Sequence, residues 1–85
     1  MARSLRTPGH LALMRVLTET RKAKGLTQQQ LADRLRRPQS FVAKIETGER
    51  RMDVVELTEW AIAAEADPAA VVRAVTEVVR GMERE

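Results

Sequence analysis

Cysteine is absent from the 85 residues, tyrosine is absent too, histidine occurs once, and Phe41 and Trp60 are the only aromatic residues. Without cysteine there is no disulfide framework and no thiolate metal site, and a lone His10 cannot assemble one from imidazoles. Redox and zinc roles are excluded, and no cofactor is expected. A Gly-rich phosphate loop is missing, as is a pair of carboxylates in apolar surroundings, so the chain is not expected to be an enzyme. The basic N-terminus is not followed by an apolar signal-peptide core, and no stretch approaches the ~18 uninterrupted apolar residues of a membrane helix. A cytoplasmic protein is expected. The length leaves room for one domain and no second one.

What is present is a foldable chain, 44% hydrophobic and 32% charged, outside the range of disordered segments. Alanine and valine carry most of the apolar content, which suits a helical core with close backbone approach. Net charge is only +3, yet it is unevenly placed. Residues 1–51 hold 12 lysines and arginines against 4 aspartates and glutamates, a net of +8, whereas residues 52–85 hold 3 against 8, a net of −5. Such a basic block is either the electrostatic footprint of a nucleic-acid binder or a solvated basic face.

Punctuation along the chain predicts five helices. Residues 1–7 are basic and lack an apolar period, and they read as a flexible arm, with residues 8–85 as the folded domain. Thr7-Pro8 is a cap followed by a first-turn proline. Leu13, Val16, Leu17 and Thr20 then recur at helical spacing until Gly25, the left-handed stop of helix 1. Thr27-Gln28-Gln29-Gln30 is a capping box opening helix 2, which Pro38 limits to Arg37. A short helix from about Gln39 to Thr47 ends at Gly48. Asp53-Val54-Val55-Glu56 is a second capping box, opening helix 4 with Leu57, Trp60, Ala61 and Ala64 inward. Asp67-Pro68 launches helix 5 through about Met82. No period-2 alternation occurs, so the expected fold class is all-α.

The segment Gly25–Gly48 carries a GLTQ start, the Leu31-Ala32 pair, a short turn, a QSFVAKIETG second helix, and Arg21 four residues upstream. In these features it resembles the helix-turn-helix of the phage-repressor and Cro-like (XRE-type) family. The resemblance spans roughly residues 10–70 and implies a compact five-helix, lambda-repressor-like domain in which helices 2 and 3 form the motif. It also implies that helix 3 lies in the major groove with its N-terminal residues on base edges. Gln39, Ser40, Ala43 and Lys44 stand on the outer face of that helix and are the expected base readers, while Val42 and Ile45 face the core. Glutamine pairs with adenine at two points, lysine donates to guanine acceptors, and serine suits base or phosphate.

Gln28, at the positive end of helix 2, is the expected phosphate clamp, or else half of a local cap. Arg36, Arg37, Thr47, Arg50 and Arg51 flank the recognition helix and are expected phosphate contacts, placed to straddle the groove. Arg3 and Arg6 of the arm are candidates for a minor groove, with solvent exposure the alternative. Phe41 is assigned to packing in preference to a thymine methyl. From the resemblance, Arg21 and Glu46 form a structural ion pair tying helix 1 to helix 3. Two departures stand out: arginine at position 36, where the family has a left-handed glycine, so that the turn is either reshaped or strained, and Pro38 where a Ser or Thr cap is common.

Val71, Val75, Val78 and Met82 follow helical spacing, with Val72 and Val79 on the neighbouring edge. This stripe exceeds what one small core needs and is assigned, with the end of helix 4, to a homodimer interface. Trp60 is expected between helices 4 and 5. The resulting expectation is a sequence-specific, double-stranded-DNA-binding transcriptional regulator associated with the nucleoid. It acts as a homodimer on a palindromic operator and represses by occlusion, without cofactor, metal or membrane. Stand-alone relatives of this size also serve as controller proteins of restriction–modification systems or as antitoxins, and a protein-interaction module without DNA binding is the alternative of another class.

Overall fold

The computed structural model describes residues 7–83, with side chains through residue 81. Expectations for Arg3, Arg6 and the Met82 side chain lie outside the described residues. Five helices follow one another: α1 Pro8–Ala23, α2 Gln28–Leu35, α3 Gln39–Thr47, α4 Val54–Ala63 and α5 Pro68–Glu83. No strand occurs among the described residues.

Local chemistry explains each start. The Thr7 hydroxyl accepts from the His10 N–H at 3.1 Å, with Pro8 in the first turn of α1. At α2 the capping box closes in both directions: the Gln30 N–H donates to the Thr27 hydroxyl at 3.0 Å and the Thr27 N–H donates to the Gln30 amide oxygen at 2.9 Å. Asp53 and Glu56 repeat that reciprocity at α4, at 2.8 and 3.1 Å, satisfying N–H groups that a helix terminus otherwise leaves orphaned. Asp67 opens α5 by accepting from the Ala69 N–H at 3.0 Å. Only α3 begins without a side-chain acceptor, behind Pro38.

The stops are left-handed. Gly25 (φ 81°) ends α1, Gly48 (φ 84°) ends α3, and two non-glycine residues share the conformation: Arg36 (φ 57°) after α2 and Glu65 (φ 56°) after α4. In three of these ends an N–H reaches back five residues in the Schellman manner: Leu26 to Arg21, Arg37 to Ala32 and Ala66 to Ala61. The turn at Arg36 is thus not reshaped. It keeps the geometry a glycine would adopt and carries strain of about 1 kcal/mol.

The core gathers Leu17 from α1, Leu31 and Ala32 from α2, Phe41, Val42 and Ile45 from α3, Trp60, Ala61 and Ala64 from the α4 region, and Val71 from α5. Trp60 is wholly buried, and its indole N–H donates to the Leu17 carbonyl at 3.2 Å. A hydrogen bond rather than packing alone therefore ties α4 to α1, a link to a third helix beyond the expected α4–α5 seat. The long helices α1 and α5 pack against each other, and α2 and α3 form a compact pair on the other side.

Candidate nucleic-acid interface

Burial of Phe41, Val42 and Ile45 fixes the rotation of α3 and leaves Gln39, Ser40, Lys44 and Thr47 exposed, with Ala43 half-buried. The four expected base readers therefore occupy the outer side of one short helix. Thr47 donates its hydroxyl hydrogen toward the Lys44 carbonyl at 3.3 Å or the Glu49 carboxylate at 3.1 Å.

Behind this face runs a polar relay. Arg21 places Nε 2.7 Å from Glu46 Oε2 and Nη2 3.0 Å from Oε1, while its Nη1 donates to the Leu26 carbonyl at 2.7 Å. The two side chains are only 9% and 7% exposed. Gln28 Nε2 donates to the same Glu46 at 2.9 Å, and Gln28 Oε1 accepts from Gln39 Nε2 at 2.6 Å. Gln28 thus does not cap its own helix; its amide is bonded to Glu46 on one side and to Gln39 on the other. Its amide hands the orientation set by the buried ion pair to the first residue of α3. The capping role belongs to Thr27 and Gln30, one residue either side of the Gln28-Gln29 pair.

A second cluster lies at the other edge of α3. The Phe41 ring is 8% exposed, and the guanidinium carbons of Arg37 and Arg50 stand over it at 4.5 and 4.8 Å from the ring centroid. Phe41 is packing, but packing for two cations as well as for the core. Glu56 closes the cluster: Arg50 donates through Nη1 and Nη2 to its two oxygens at 3.0 Å each, and Arg37 Nη2 approaches Oε2 at 3.5 Å. The hydrogen bond from Arg50 is the main influence holding the Glu56 carboxyl below its usual range, and the same bond raises the Arg50 guanidinium further. In the sequence Glu56 reads only as part of a capping box. Its partner lies six residues back, across a loop whose path no periodicity reveals.

The other expected phosphate contacts, Arg36 and Arg51, are exposed. Arg36 carries its charge on the strained left-handed turn. A surface cluster that the sequence did not disclose pins the far end of α4: Glu65 meets Lys24 at 2.6 Å and Arg34 at 3.2 Å, and Arg34 also donates to the Ala63 carbonyl. Chiefly through the Lys24 bond, the Glu65 carboxyl is held below its ordinary value.

On the opposite side, Val71 is 3% exposed and belongs to the core, so it is removed from the expected docking stripe. Val75 and Val78 are half-buried, whereas Val72 and Val79 are 47% and 38% exposed. Val72, Val75 and Val79 line an open apolar groove with Leu13 of α1 and Leu57 of α4. Among the described residues no group of three His, Cys, Asp or Glu side chains is placed to hold a metal ion. No described helix is long and apolar enough to cross a membrane.

A family model described as a helix-turn-helix domain matches residues 12–79. Among solved structures, the chain is similar to an XRE-family like protein from Pseudomonas syringae pv. tomato str. DC3000. The two are 40% identical, the alignment covers 88% of this chain and 92% of that one, and the TM-score is 0.80. No curated protein matches the sequence.

Proposed function

Because the chain belongs to the XRE-type helix-turn-helix family, a DNA-binding regulator fold and not an enzyme family, we propose that it is a sequence-specific transcriptional repressor. It binds double-stranded DNA as a homodimer on a palindromic operator of the nucleoid. The observation that carries this reading is the relay from the buried Arg21–Glu46 pair through Gln28 to Gln39. A solvated polar helix face has no need of a buried carboxylate to aim its first side chain. A base-reading glutamine does, since two-point pairing with adenine tolerates little misorientation. Ser40, Ala43 and Lys44 complete the reading surface, and Arg36, Arg37, Thr47, Arg50 and Arg51 supply backbone contacts around it.

One copy of so short a helix reads few base pairs, and two copies about 34 Å apart double the readout. The apolar groove around Val72, Val75 and Val79 is the surface we assign to the second copy, and Val78 and Met82 are the further residues proposed for that interface. The deciding experiment selects bound duplexes from a random pool with the wild type and with Gln39→Ala. Enrichment of a two-fold symmetric sequence by the wild type, and loss of preference at one position per half-site in the variant, is the expected result. Identical profiles would remove Gln39 from the reading set, and absence of any enriched sequence would refute sequence-specific recognition.

A further inference from the structure

We propose that Arg37 and Arg50, held over the Phe41 ring and pinned by Glu56, form one preassembled two-cation clamp for the DNA backbone, with Glu56 as its positioning residue. The inference rests on the DNA-binding reading above and deepens it. Two guanidinium groups this close repel each other, so their common seat needs a cause. The ring face supplies one, and the carboxylate shared through Oε2, at 3.0 Å from Arg50 and 3.5 Å from Arg37, supplies the other.

Glu56 has the exposure expected of an anchor rather than of a competing anion. Its side chain is 12% exposed and also accepts from the Asp53 N–H at 3.1 Å, while the Arg37 and Arg50 side chains are 41% and 39% exposed. The carboxylate thus sits behind, fixed by the capping box of α4, and the guanidinium edges face outward. One negative charge against two positive ones leaves the unit with a surplus cation. Arg50 spends Nη1 on the Arg51 carbonyl and on Glu56, and Nη2 on Glu56, while its Nε–H has no acceptor among the described residues. Donors for phosphate oxygens remain, already oriented at the first turn of the recognition helix. Their conformational freedom is lost before DNA arrives, which is how preorganisation strengthens a contact.

The test exploits an opposition of signs. Glu56→Gln removes a negative charge from a DNA-binding protein, so charge counting alone predicts tighter binding. Positioning predicts the reverse. Glutamine at this place preserves the capping box, and a thermal melt checks that the fold is intact. Binding to a random-sequence duplex is titrated across salt concentrations for the wild type, Glu56→Gln, Phe41→Leu and Arg50→Ala. The expected result is weaker binding of Glu56→Gln, on the order of tenfold, with a salt slope shallower by about 0.9, one phosphate contact. Phe41→Leu should move the same way. Arg50→Ala should leave little further loss when combined with Glu56→Gln. Tighter binding of Glu56→Gln, an unchanged slope, or full additivity with Arg50→Ala would each overturn the clamp while leaving DNA binding itself standing. A wild type that shows no salt-dependent binding would instead bring down the DNA-binding reading, and the clamp with it.

Discussion

Replacing Glu46 by glutamine tests the centre of the relay. The variant keeps the shape of the side chain but leaves the Arg21 guanidinium, only 9% exposed along its side chain, without its anion. Removing one partner of so enclosed a pair costs about 3–5 kcal/mol, because the remaining charge stays desolvated. A domain of this size has roughly 4–13 kcal/mol of stability in total, so the loss is a large fraction of it. With a urea dependence of about 1.5 kcal/mol per molar, the unfolding midpoint should fall by roughly 2–3 M. The double variant Arg21→Met, Glu46→Leu replaces the pair by apolar groups of similar volume and should return to within about 1 kcal/mol of the wild type. Urea titration followed by helical circular dichroism measures all three proteins. A single-variant loss below about 1 kcal/mol, the value of an exposed pair, would refute the reasoning, as would a double variant no more stable than the single. Glu46 also accepts from Gln28. The double variant, which removes both the ion pair and the acceptor for Gln28, should therefore broaden the base preference governed by Gln39 even where its stability returns.

Three further outcomes follow from particular residues. Arg36→Gly should raise stability by about 1 kcal/mol in thermal or chemical melts by relieving the φ of 57°. It should at the same time weaken binding to any duplex and flatten its salt dependence, and a destabilised variant would contradict the strain argument. Glu56 and Glu65 both have carboxyls held below the ordinary value of 4.5. Their contribution to stability is present above that value and is lost as pH falls through the lower folded-state value. Thermal midpoints should then drop on acidification below about pH 4.5, and the double variant Glu56→Gln, Glu65→Gln should show a shallower acid drop. Val72→Glu places a charge on a side chain 47% exposed in the isolated domain, so the fold should survive while sedimentation shows a shift from dimer to monomer. A dimer that persists would move the interface away from the groove.

The elements were legible because their signals are local. Thr27 with Gln30 and Asp53 with Glu56 are reciprocal caps within three residues, and both close as the spacing predicts. Pro8 and Pro68 open helices, and Gly25 and Gly48 end them. The rotation of α3 was legible too, since Val42 and Ile45 must face inward and so push Gln39, Ser40 and Lys44 outward. Less readable was the division of labour among the cations. Nothing in the spacing distinguishes Arg36, exposed on a strained turn, from Arg37 beside it, which lies over an aromatic ring and against a carboxylate. Nor does periodicity separate Val71 from Val72. One is sealed in the core and the other half-open, because α5 meets α1 and α4 at an angle that only packing sets.

Sequence alone thus determined the five helices, their starts and stops, the polarised charge and the face that α3 presents, since each depends on residues within a turn or two of one another. Tertiary structure decided what those residues are attached to. It made Gln28 a bridge, Glu56 an anchor for two arginines, and Trp60 a hydrogen-bonded link between α4 and α1. The physical reason is that ion pairs, ring contacts and shared amides join groups far apart along the chain, and their geometry exists only once the apolar faces of the helices have closed on a common core.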